Sequence, residues 1–247
     1  SKGNGAGGQF WGGCKFSGDG LTLVLGNPAW PTYSGSGENQ NKGRVMIYQY
    51  ISGYWYQTGV LKGVNAEFIG YTVDINYDGT YICYASQKNT GTARVFKNDT
   101  VTQAEFNSAN QIKKSGQSLG NSNSAGTWSA TQTYLRQVGT VDFSANIVGV
   151  CISEDAENWY HLRYEGTNWS TNYVWYVDEY SLSNDEWSYN STFTIHSVAT
   201  SGALNSGDIR ISSNKKRIVL VAANSRYQGY VWDLVGTTWT YLTNLPI

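Results

Sequence analysis

Proline, cysteine, histidine and methionine are scarce in this chain: 3, 3, 2 and 1 among 247 residues. Each scarcity excludes something. Cys14, Cys83 and Cys151 are odd in number and form no CxxC pair, which rules out a disulfide scaffold. All three sit in strand-like runs, where a free thiol is expected to act as a small buried hydrophobe. With only His161 and His196 to join them, a zinc site has too few ligands. Charge is also thin, at 14% of residues and a formal net of -1. The densest basic run, Lys215-Lys216-Arg217, reads as a solvated turn, so no stripe exists to track a phosphate backbone and nucleic acid is not an expected partner. No apolar run reaches the roughly 18 residues of a membrane helix, and membrane insertion is not expected. Leu and Ala are too few, and helical spacing too rare, for a helix bundle.

What is present points to strands. The chain holds 10 Trp, 19 Tyr and 28 Gly. Aromatic and β-branched residues separated by Gly, Asn and Ser are the composition of strands joined by tight turns.

These strands repeat. A strand, a polar turn and a second strand recur at 14–25, 73–84, 150–161 and 208–220. A third strand with a small first residue and Val or aromatic content follows each, at 43–50, 91–96, 172–180 and 229–234. A Trp-bearing fourth strand comes next, around Trp55, Trp128, Trp187 and Trp239. Asp19 and Asp78 in the turns are 59 residues apart, as are Asp155 and Asn214, whereas Asp78 and Asp155 are 77 apart. The surplus lies in the polar stretch 107–125, read as an insertion that is either a long loop or a partner-binding one. Four short antiparallel strands per repeat predict an all-β fold, a β-propeller with four blades of four antiparallel strands. As a single domain over 1–247, its blades would run at about 9–63, 64–136 with the insertion, 137–195 and 196–247.

The run Gly70-Tyr-Thr-Val-Asp-Ile-Asn-Tyr-Asp-Gly-Thr-Tyr-Ile-Cys-Tyr-Ala85 with Gly91-Thr-Ala-Arg-Val-Phe96 resembles integrin-like, FG-GAP-related propeller repeats. So does Phe16-Ser-Gly-Asp-Gly-Leu-Thr-Leu-Val-Leu-Gly-Asn-Pro28 with Gly43-Arg-Val-Met-Ile-Tyr48 and Trp55. Such repeats occur in bacterial, phage and large-virus surface proteins and usually close as seven blades, where four are found here. The resemblance implies an extracellular or virion-surface setting, with other protein subunits, copies of the chain itself or a larger assembly as partners.

Chemistry is sparse. Asp74, Asn76 and Asp78 match the opening of a calcium loop, but Ala85 stands where a bidentate Glu would be needed, and Asp78-Gly79 also reads as a hairpin turn. Ser153-Glu-Asp155-Ala-Glu157-Asn-Trp159 approaches the Asp-box of sialidase-like propellers without its Gly. No G-x-S-x-G elbow is present, and both histidines read as structural. Trp30 and Tyr33, with Trp169 and Tyr173, lie in equivalent expected loops and form the candidate ligand-binding set, as rigid aromatic platforms. The expectation is therefore a non-enzymatic assembly or adhesion module with no cofactor. A lectin-like binder of surface glycans is the alternative, and a glycosidase is the remote one.

Overall fold

The structure is a computed structural model, and it describes residues 12–30, 42–51, 53–63, 67–86, 92–102, 117–119, 131–142, 146–165, 174–183, 186–195, 206–223 and 228–246. Every regular element among them is a strand. The first sheet holds β1 (Cys14–Phe16), β2 (Thr22–Asn27), β3 (Arg44–Ile51) and β4 (Tyr54–Lys62). Next come β5 (Ile69–Ile75), β6 (Tyr81–Ser86), β7 (Thr92–Thr102), β8 (Gln117–Leu119) and β9 (Thr131–Asp142). Of these, β5, β6, β7 and β9 make the second sheet. The third is β10 (Asn146–Ile152), β11 (Asn158–Glu165), β12 (Val174–Ser183) and β13 (Glu186–Ile195). The fourth is β14 (Ser206–Ile211), β15 (Arg217–Ala223), β16 (Gln228–Val235) and β17 (Thr238–Pro246). All pairings between these strands are antiparallel, an isolated parallel bridge joins Gly43 to Ile69, and no sheet closes on itself among the described residues. The arrangement is propeller-like.

Two departures from the sequence reading concern the insertion. Part of it, β8, pairs with β4 and so extends the first sheet, although the stretch falls between strands of the second. The last strand of the second sheet begins at Thr131 and runs to Asp142, later than the expected strand at Trp128 and past the expected boundary at 136. Trp128 itself lies outside the described residues.

The first hairpin of each sheet is built by one local device. Ser17 Oγ donates to Asp19 Oδ1 at 2.6 Å and accepts the Thr22 N–H at 2.9 Å. Ser153 with Asp155 and Ser212 with Asn214 repeat this at 2.7 Å each, and Asn76 Nδ2 with Asp78 does so at 2.7 Å. The backbone then turns left-handed at Gly20 (φ 72°), Gly79 (φ 76°), Ala156 (φ 60°) and Lys215 (φ 56°). Glycine adopts that conformation without strain, which the Asp-Gly turns exploit, while Ala156 and Lys215 hold it against their Cβ atoms. The turns are also strung together. Asp19 N–H donates to Tyr77 C=O, Tyr77 N–H donates to Glu154 C=O, and Lys215 Nζ pairs with Asp155 at 2.7 Å.

Neighbouring sheets share apolar cores. Val24, Val45, Ile47 and Leu61 of the first sheet pack on Ile75, Ile82, Tyr84 and Phe96 of the second. Cys83, Val95 and Tyr81 of the second meet Ile152, Trp159 and Tyr180 of the third. Leu162, Trp175 and Val177 of the third meet Ile218, Leu220 and Trp239 of the fourth. Strand β6 is buried along its whole length, because its two faces serve two different cores. The first and second sheets approach so closely that a Cβ on Gly26 would lie 1.9 Å from Gly70 O, so the contact requires glycine. Cys83 and Cys151 are buried as expected, but Cys14 is exposed, a correction whose cause is that no core among the described residues covers its side of the first sheet.

Candidate functional site

Aligned on their turns, the first strands of the sheets place four residues at one equivalent position, four before the turn Asp or Asn: Lys15, Asp74, Cys151 and Arg210. Each pairs across its hairpin in the same register, with Val24, Cys83, Tyr160 and Val219. The first strands of successive sheets lie side by side, β1 against β5, β5 against β10 and β10 against β14, which brings this position of neighbouring sheets together. Three of the four residues are charged, and Asp208 on β14 adds a fourth charge.

Asp74 is the pivot. Its Oδ2 accepts the Ile152 N–H at 3.1 Å from the neighbouring sheet. Its Oδ1 accepts no hydrogen bond among the described residues and faces Lys15 Nζ at 3.6 Å. The carboxyl is 2% exposed, and burial raises its pKa, with the charges of Arg210 and Lys15 and two backbone N–H groups opposing that rise. Arg210 Nη1 meets Asp208 Oδ1 at 2.8 Å and also donates to Ile209 C=O at 2.9 Å. Desolvation raises the Asp208 carboxyl too; Arg210 opposes this and Asp74 adds to it. The cations remain accessible, their side chains 37% exposed for Lys15 and 35% for Arg210. A buried carboxyl with a vacant lone pair thus lies beside two cations that solvent reaches. Burial pushes the Cys83 and Cys151 thiols well up, with Asp74 adding to both, so neither supplies a thiolate.

The residues singled out in the sequence fall elsewhere. Asn76 and Asp78 serve the hairpin turn, where Asp78 Oδ1 is filled by Thr80 N–H, Thr80 Oγ1 and Asn76 Nδ2. Asp74 turns to the convergent strands instead, so the calcium candidates Asp74, Asn76 and Asp78 do not close around one point. Trp30 follows β2, half-buried, with the Arg44 guanidinium 5.0 Å and the Lys62 ammonium 5.7 Å from its ring centroid. Tyr33, Trp169 and Tyr173 lie outside the described residues, as does His196. His161 is fully buried, 3.9 Å between ring centroids from Trp159, and burial lowers its pKa to about 3 with Arg163 assisting. Sequence reading aligned the turns but not the position four residues earlier, where the charges are. That alignment was the available signal.

No family model matches the chain, and no curated protein does. The integrin-like, FG-GAP resemblance is therefore not shown; the solved structures support only the broader class of propeller-type folds. The periplasmic gluconolactonase of Pseudomonas aeruginosa is 12% identical, with a TM-score of 0.44, over 95% of this chain and 72% of that one. Hsv2 of Kluyvelomyces marxianus is 16% identical, TM-score 0.46, over 96% of this chain and 59% of that one. The β-propeller domain of the trilobed protease from Pyrococcus furiosus is 7% identical, TM-score 0.44, over 96% and 58%. Likeness at this level concerns the arrangement of sheets and assigns no activity. It does correct one expectation. A gluconolactonase is an enzyme, so the sheet arrangement gives no ground for a non-enzymatic adhesion or virion-surface module, and that expectation is withdrawn. No described helix is long and apolar enough to cross a membrane.

Proposed function

We propose that the four sheets are blades of one propeller, each with its first strand innermost, and that the charges where those strands meet form a hydrolytic site. The reaction class is water addition to an acyl carbon of a small polar substrate, such as an ester or lactone. The observation that carries this reading is Asp74, a buried carboxyl of raised pKa with one oxygen fixed by Ile152 N–H and the other unoccupied beside Lys15. Fixing one oxygen sets the direction of the other, and a general base must be aimed before its basicity matters. In its ionised form Asp74 Oδ1 takes a proton from an attacking water. Lys15 and Arg210 stand where charge on the carbonyl oxygen would be stabilised. Because burial weakens the acidity of Asp74, the acid limb of the rate profile belongs above the ordinary carboxylate range.

The test is a panel of small esters and lactones with the purified protein. Asp74→Asn should lower kcat by about 10²- to 10⁴-fold with the melting temperature kept or raised. Lys15→Ala should weaken turnover less. A panel without turnover, or an Asp74→Asn variant as active as the parent, would refute the proposal.

A further inference from the structure

Arg44 and Lys62 are cross-strand partners at one end of the first sheet, where β3 begins and β4 ends. Both lie over one ring, the Arg44 guanidinium 5.0 Å and the Lys62 ammonium 5.7 Å from the Trp30 centroid. Backbone contacts hold Trp30 in that place. Its N–H donates to Asn27 C=O at 3.4 Å, and its C=O accepts the Gly43 N–H at 2.7 Å. Like charges directly opposite across a strand pair repel, and an aromatic face attracts a cation without neutralising it. Every other arginine whose side chain is described has a carboxylate: Arg94 holds Glu67, Arg163 holds Asp178, Arg210 holds Asp208 and Arg217 holds Asp233. Neither Arg44 nor Lys62 forms an ion pair among the described residues. Glu67, whose carboxylate approaches Gly63 just beyond β4, is engaged by Arg94 at 2.8 Å. The buried Nε of Arg44 has no hydrogen-bond partner among the described residues. Burial lowers the pKa of Arg44, with Tyr48 opposing the change, as for a cation held partly away from water.

We infer that Arg44 and Lys62 form a binding site for a dianionic oxyanion, the phosphate or sulfate group of a small ligand. The guanidinium offers a planar fork of donors that matches two oxygens of such a group, and the ammonium adds a compact charge with three more donors. Two cations held side by side are balanced by two negative charges, whereas a single carboxylate leaves one of them uncompensated. The Trp30 ring keeps both side chains in place beforehand, so little of their freedom is lost on binding. None of these residues belongs to the cluster of Lys15, Asp74 and Arg210, so the inference stands apart from the hydrolytic reading.

The test is isothermal titration calorimetry of the parent protein with inorganic phosphate and with sulfate, in low-salt buffer at about pH 8, above the second phosphate pKa of about 6. Both anions should bind saturably, and acetate more weakly than either. Arg44→Gln and Lys62→Gln should each raise both dissociation constants about tenfold or more, the loss of one hydrogen-bonded charge. Lys62 is exposed, so its replacement leaves the packing intact. Either substitution relieves the opposed charges, and without anion each variant should melt at or above the temperature of the parent. Lys15→Ala removes a cation of the other cluster and should leave the affinity for both anions unchanged. A parent that binds neither anion saturably, acetate bound as tightly as sulfate, variants at 44 and 62 that bind like the parent, or loss of binding in Lys15→Ala would each overturn the inference.

Discussion

Asp74 and His161 show how burial sets the cost of an ionisable side chain, with opposite dependence on pH. Asp74 has a raised pKa in the fold, so the folded state holds its proton more tightly than the unfolded chain does. Stability from this group is full in acid and declines as pH rises through the unfolded and then the folded pKa. Asp74→Asn should therefore raise the melting temperature at neutral pH, with the gain vanishing in acid, as read by thermal scans across pH. His161 is the reverse case, neutral in the fold with a pKa of about 3 against an ordinary 6.5. Unfolding takes up a proton below about pH 6.5, so stability is present above that pH and is lost progressively down to about 3. Replacing His161 with Leu should flatten this acid limb in a denaturant titration series.

At the scale of the strand and hairpin, the recurring unit is the turn with its Ser or Asn two residues before the Asp or Asn. The first residue accepts a backbone N–H five residues on, and the second accepts one two residues on, so two otherwise idle donors are satisfied. Ser153→Ala should cost about 1 kcal/mol, measured by urea unfolding. The turn Asp and Asn residues were legible as an aligned series in the sequence. Their Ser and Asn partners were not, because a hydrogen bond between residues two apart leaves no trace in apolar periodicity. Sheet contacts impose a second local demand. Gly26→Ala places a methyl 1.9 Å from Gly70 O, so it should destabilise the pairing of the first two sheets and lower the melting temperature.

Among the described residues, the second and third sheets each contribute to two shared apolar cores and the first and fourth to one. Stability in such a stacked array is a sum of unit and neighbour terms. Amide exchange should accordingly be slowest in β6 and β11 and faster in β2, as mass spectrometry of exchanged peptides would read. Trp159, fully buried between the second and third sheets, is the largest plug in that middle core. Trp159→Ala should cost about 3–5 kcal/mol, checked by urea unfolding.

The sequence by itself determined the strands, the hairpin turns and their spacing, since alternation and turn chemistry act between residues close along the chain. It also marked 107–125 as extra to the repeat. Only the tertiary structure decided that part of this stretch pairs with β4, because strand pairing is chosen by which edge is free nearby. The same holds for the site. Lys15 and Arg210 stand far apart in sequence as unremarked charges within strands, Asp74 was legible only as a calcium-loop candidate, and their meeting is a property of sheets packed side by side. The low pKa of His161 and the exposure of Cys14 have the same origin, since each depends on whether a neighbouring sheet covers that face.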